Sequence, residues 1–167
     1  MKKWKQEKNA AELLDLQGEL AELNKKIENN PKHARLAADF KWGKDLGGSD
    51  ETIISLMHDK PVFVTHYPRK AKAFYMKTDD ENPDVVRNFD LLAPGGFGEI
   101  IGGSMREDDH DKLLGRINEQ GLNPDNYSWY LDLRKYGSIP HGGFGLGVER
   151  TVAWITGEKH IRQCIPF

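Results

Sequence analysis

The segment Gly142-Gly-Phe-Gly-Leu-Gly147 runs directly into Val148, Glu149 and Arg150. Glycines spaced two apart in an extended stretch leave one face of a strand without side chains, so a flat ring or a phosphate can lie against the backbone. An arginine on the first turn of the following helix adds a fixed positive charge and a planar fork beside that platform. The same glycines would also let a helix pack closely on a sheet. The run is not a dinucleotide fingerprint, because no hydrophobic parallel strand precedes it and no βαβ unit follows.

Asp90 and Glu99 sit nine residues apart across the turn Ala93-Pro-Gly-Gly-Phe-Gly98. If their segments pair as a hairpin, the two acids can share one face and hold a divalent cation beside a polyphosphate. Both lie in apolar stretches, where an unpaired acid is costly, so a structural salt bridge is the other reading. In Gly102-Gly-Ser-Met-Arg106 an arginine follows a glycine-lined strand end. Its guanidinium suits a carboxylate bidentately or an amide oxygen with one or two donors, although a surface arginine would read the same way. The basic stretch Tyr67-Pro-Arg-Lys-Ala-Lys-Ala-Phe-Tyr75 suits phosphate or RNA. Arg69 and Lys70 read as a solvated turn, and Lys72 and Tyr75 remain as candidates. The six histidines lack metal-ligand spacing, and no serine or cysteine stands in a nucleophile motif, which argues against zinc enzymes and acyl-transfer hydrolases.

These residues need a scaffold, and 167 residues suffice for one domain that buries about 70% of its unfolded surface. The balance of 24 Lys+Arg against 26 Asp+Glu, net charge -2, excludes a strongly basic nucleic-acid coat protein. No run reaches the roughly 18 apolar residues of a membrane span, and the basic start lacks a signal-peptide core, so a soluble, cytoplasmic chain without a membrane partner is expected. The single cysteine, Cys164, fits a reducing compartment.

A composition break near Pro31 separates residues 1–38 from residues 39–167. Leu13, Leu16, Leu20, Leu23 and Ile27 form one stripe of an amphipathic helix from about Asn9 to Glu28, which either packs on its own domain or serves as a coiled-coil partner. Beyond Lys41, strands are expected at Pro61–His66, Ala73–Met76, Phe89–Leu92 and Gly98–Ile101, the last ending at Gly102-Gly103. Their short connections require antiparallel neighbours. Helices are expected at Asp108–Gln120, Tyr127–Tyr136 and Val148–Ile155. The class is therefore α+β.

From about Lys41 to Phe167 the chain resembles the C-terminal half of the catalytic domain of the class II asparaginyl-tRNA synthetases. The resemblance rests on FKWGKDLGG, PVFVTHYPRKAKAFYMK, DLLAPGGFGEIIGGSMRE, WYLDLRKYGSIPHGGFGLGVERTVAWITG and HIRQCIPF, which run in the family's order. It implies a partial class II antiparallel sheet flanked by helices. It implies that Arg150, in the third signature motif, grips ATP, with Glu99, Gly145, Gly147, Val148 and Glu149 lining the nucleotide. It assigns Mg2+ to Asp90 and Glu99, and the amino-acid side chain to Arg106, with Gly102, Lys72 and Tyr75 on the substrate. In the family, asparagine and ATP give an adenylate and pyrophosphate, and tRNA(Asn) then takes the aminoacyl group. The wording LLAPGGFGEIIGGSMR is of the asparaginyl rather than the aspartyl type.

Residues 1–38 resemble the family poorly, and the OB-type anticodon domain, the first motif and the second-motif arginine have no counterpart in the sequence. Half a sheet leaves an exposed edge and apolar surface, so a homodimer or association with another chain is expected. A synthetase-like module that binds nucleotide or a protein without aminoacylating, and a tRNA-independent ligase activating aspartate or asparagine, are the other readings.

Overall fold

The computed structural model describes residues 21–167, residue 23 apart. Leu13, Leu16, Leu20 and Leu23 of the expected leucine stripe lie outside the described residues. Residues 24–28 are helical, and the chain turns at Asn29 as the Asn-Asn-Pro sequence requires. Two helices that the sequence reading did not include follow: α1, Pro31–Ala37, with proline at its start, and α2, Gly48–Leu56. The signal for α2 was present, since Asp50 accepts from the Gly47 backbone N–H at 2.8 Å and Asp50 and Glu51 face the positive helix end.

Strands β1, Val62–Thr65, β2, Asn88–Ala93, β3, Gly98–Met105, and β4, Gly142–Leu146, form one antiparallel sheet in the order β1-β2-β3-β4. The hairpin between β2 and β3 turns on glycines at positive φ, including Gly95 at 75° and Gly96 at 87°. β3 does not stop at Gly102-Gly103 but continues to Met105, because β4 pairs along it from Ile101 to Met105.

The expected strand at Ala73–Met76 is a turn, with Met76 N–H bonded to the Ala73 carbonyl at 3.1 Å and a single bridge from Met76 to Arg106. Its aromatic composition serves helix packing instead of a sheet. Phe74 and Tyr75 lie against the cluster of Leu113, Ile117 and Leu131, and the Phe74 ring meets Tyr127 at 4.8 Å. That cluster joins α3, His110–Glu119, to α4, Ser128–Lys135, both within a residue or two of their expected bounds. Asp109 caps α3 by accepting from the Lys112 N–H at 2.9 Å. Finally α5, Val148–Thr156, leaves β4 through Gly147 and ends at Gly157 in the left-handed conformation. Among the described residues no helix is long and apolar enough to cross a membrane.

The sheet has two unlike faces. One carries Phe63, Phe89 and Phe144, and the backbone at Gly103 closes against them: a Cβ there would stand 2.6 Å from Phe89 and 2.9 Å from Phe144. Phe63 and Phe144 remain 62% and 68% exposed. The opposite face carries the candidate site.

Candidate nucleotide and amino-acid site

Asp90 lies directly across from Gly102 in the β2–β3 ladder, so it shares that residue's face. In a regular strand Glu99, three positions earlier, would point the other way. The register shifts between Leu91 and Leu92, whose partners are Ile101 and Glu99, leaving Ile100 as one extra residue on β3. This β-bulge turns the Glu99 side chain to the Asp90 face. A Cβ on Gly102 would lie 2.5 Å from Glu99 Oε1 and 3.4 Å from Asp90 Oδ1, so glycine keeps open a cradle between the two carboxylates. The sequence reading placed both acids on one face by hairpin pairing alone; the bulge it did not foresee is what achieves it.

The backbone of the bulge anchors the glycine-run segment. The Ile100 carbonyl accepts from the Gly147 N–H at 2.9 Å, and the Glu99 carbonyl accepts from Arg150 Nη1 at 3.0 Å. A Cβ at Gly147 would crowd the Arg150 stem at 3.2 Å, so this glycine lets the arginine fold back over β3. Gly143 and Gly145 face the same side as Gly102, and nothing lies within 4 Å of a Cβ built on Gly145. The side-chain-free strand face expected from the spacing is thus present beside Arg150. Val148 and Glu149 are exposed on the first turn of α5.

At the other end of β3, Arg106 Nη1 donates to Ser104 Oγ at 2.9 Å, and the guanidinium stacks 4.6 Å from the Tyr75 ring centroid. A Cβ on Gly143 would sit 3.4 Å from Arg106 Nη2. Arg106, Tyr75 and Gly102 are therefore brought to one face with Asp90, Glu99 and Arg150. Lys72 stands apart from Arg106, at the carboxylates: its Nζ is 2.7 Å from Asp45 Oδ1 and 3.4 Å from Asp90 Oδ2, and 3.9 Å above the Tyr67 ring.

Four residues of this face were not singled out from the sequence. Asp45 holds Lys72, and Glu51 Oε2 accepts from the Glu99 N–H at 3.2 Å. Ser104, buried, fixes Arg106. Tyr67 is buried beside Asp90, its hydroxyl without a hydrogen-bond partner among the described residues, and burial together with that carboxylate pushes the phenol far above its ordinary range. Asp45 and Tyr67 stood inside quoted passages, but nothing in their local sequence marks them as neighbours. Burial raises the Glu99 carboxyl above the usual range, with the charges of Asp90 and Glu51 adding to it and those of Arg150 and Lys72 opposing.

The family model for class II tRNA synthetases of the D, K and N type matches residues 4–167. The chain belongs to this family. The asparagine–tRNA ligase of Herpetosiphon aurantiacus is 55% identical over 137 residues, 82% of this chain and 30% of that protein. The crystal structure of asparaginyl-tRNA synthetase from Pyrococcus horikoshii complexed with asparaginyl-adenylate aligns over 81% of this chain and 32% of that one, with 52% identity and TM-score 0.75. A putative aspartyl-tRNA synthetase from Leishmania major aligns at 26% identity and TM-score 0.66. The chain spans between about a quarter and a third of the length of these relatives. The class II synthetase sheet, antiparallel with flanking helices and partial, is the fold expected from the sequence.

Proposed function

We propose that this chain is the amino-acid-activating portion of an asparagine–tRNA ligase. The observation that carries the reading is the gathering of Arg150, the glycine face of β4, the Asp90–Glu99 cradle and Arg106 on one side of one sheet. The higher identity to asparaginyl than to aspartyl relatives supports asparagine as the amino acid.

In this reading the nucleotide lies along Gly145 and Gly147, with Val148 and Glu149 at its edge and Arg150 on its charge. Arg106, pinned by Ser104 and stacked on Tyr75, donates to the side-chain amide oxygen of asparagine at the far end of β3. Gly102 keeps the backbone between the two ends bare. The asparagine carboxylate attacks the α-phosphorus of ATP, the bond to the bridging oxygen breaks, and pyrophosphate departs with that electron pair. The residues act by positioning and by charge, without a protein nucleophile.

Asp90 and Glu99 would hold Mg2+. The cradle fits, since two hard oxygen donors converge on a space that any Cβ at position 102 would fill, and two carboxylates leave the remaining positions to water and phosphate, as Mg2+ prefers. When bound, the ion neutralises polyphosphate charge. Transfer to tRNA(Asn), a cytoplasmic setting and pairing with a second copy or another chain complete the reading; the exposed Phe63 and Phe144 support the last of these.

Calorimetry with a non-hydrolysable asparaginyl-adenylate analogue tests the reading. Saturable binding, weaker for the aspartyl analogue and lost in Arg106→Ala, is expected; equal affinity for both analogues would remove the asparagine assignment.

A further inference from the structure

Lys72 is fixed at its root and ion-paired at its tip. Its backbone carbonyl accepts from Gln120 Nε2 at 2.9 Å and from Arg116 Nη2 at 3.3 Å, and Arg116, itself buried, also holds the Arg69 carbonyl at 2.9 Å. Helix α3 thus clamps the turn from which the side chain springs. The Lys72 ammonium then stands between two carboxylates, Asp90 in the cradle and Asp45 outside it. Lys72 and Asp90 are 12% and 15% exposed, whereas Asp45 is 49% exposed.

An ammonium in salt-bridge contact with Asp90 and a divalent cation on the same carboxylate repel each other at close range. We propose that Lys72 is a built-in counter-cation of the Asp90–Glu99 pair, which it neutralises in the metal-free protein and leaves for Asp45 when a divalent cation arrives. The inference rests on the assignment of Asp90 and Glu99 to such a cation. Four acids face this site, Asp90, Glu99, Asp45 and Glu51, the last bonded to the Glu99 N–H. Without Lys72, the half-buried cradle would have only Arg150, among the described residues, to offset its negative charge. Asp45 already makes the shorter contact, so the exchange needs only a small swing of Nζ over the Tyr67 ring. Each state leaves the ammonium paired.

The test is Mn2+ binding to the full chain without nucleotide, read as loss of the free-ion electron paramagnetic resonance signal. Lys72→Met keeps the apolar stem on Tyr67 and removes the charge, and it is expected to tighten Mn2+ binding ~10-fold. Lys72→Arg should bind as the parent does. Asp45→Asn, which removes the outer anchor and leaves the ammonium on Asp90, should weaken binding. Damage to the fold would weaken both Lys72→Met and Asp45→Asn, so the opposite signs are diagnostic. If Asp90→Asn abolishes binding but Lys72→Met leaves it unchanged or weaker, this inference falls and the metal assignment stands. If Asp90→Asn keeps the parent affinity, or neither the parent nor Lys72→Met binds Mn2+, both fall.

Discussion

Arg150 donates from Nη1 to the backbone carbonyl of Glu99 at 3.0 Å, so the arginine assigned to ATP is tied to the strand position assigned to the metal. The bond uses one of five guanidinium donors and leaves four for a ligand. Because Arg150 is exposed and, among the described residues, bonds only a carbonyl of β3, its loss should spare the fold.

Arg150→Ala should therefore weaken ATP binding on the order of 10- to 100-fold, the scale of one or two charge-assisted hydrogen bonds. Its denaturation midpoint should stay near that of the parent. Isothermal titration with ATP and urea unfolding of the same preparation check both halves; unchanged ATP affinity would unseat the glycine face as the nucleotide platform.

The neighbouring glycines of β3 should respond oppositely to alanine. At Gly102 the new methyl meets the far end of the flexible Glu99 side chain, which can swing aside, so Gly102→Ala should fold with less than about 1 kcal/mol lost and bind Mn2+ poorly. At Gly103 it meets the Phe89 ring and Phe144 Cβ, so Gly103→Ala should cost about 1–3 kcal/mol through overpacking. Urea melts with Mn2+ titrations on both variants separate the two outcomes.

Glu99→Gln keeps the strand and its bulge and removes one carboxylate charge from the cradle, so divalent-cation binding should be largely lost. Mn2+ titration of the folded variant checks this, and retained binding would refute the role of this carboxylate.

Stability should fall in acid through Asp108. Its hydrogen bond to Lys77 holds the carboxyl below the usual aspartate range. A depressed native pKa contributes stability that is present above the unfolded value, about 3.9, and is lost as pH falls through the native one. Asp108→Asn should accordingly be less stable than the parent near pH 6, with the gap closing toward pH 2. Lys77, raised by the same bond, carries the reverse limb, lost only as pH climbs above the ordinary lysine range. Urea midpoints across pH 2–7 measure the acid limb.

Much of this arrangement was legible in the residues. Short β-branched and aromatic runs marked β1, β2 and the start of β3, the glycines spaced two apart marked the extended stretch that forms β4, and Leu113 and Ile117 at helical spacing marked the buried face of α3. What escaped was set by tertiary contacts. Ala73–Met76 has strand composition, but Phe74 and Tyr75 spend it on the α3–α4 core while Arg116 and Gln120 take the Lys72 carbonyl. Helix α2 announces itself only through its cap and acidic first turn, a weak signal next to three glycines. Ile100 looks like any strand isoleucine, since a bulge depends on the partner's register. Asp45 and Lys72 are far apart in sequence and meet only through packing.

The most direct test of the account is asparagine-dependent ATP–pyrophosphate exchange by the purified chain with Mg2+, with aspartate as the paired control. Exchange with asparagine and not with aspartate, abolished in Arg150→Ala, is the predicted result. Exchange that is absent from protein shown to be folded and to bind ATP, or that runs equally with aspartate, would contradict the claim that this face activates asparagine.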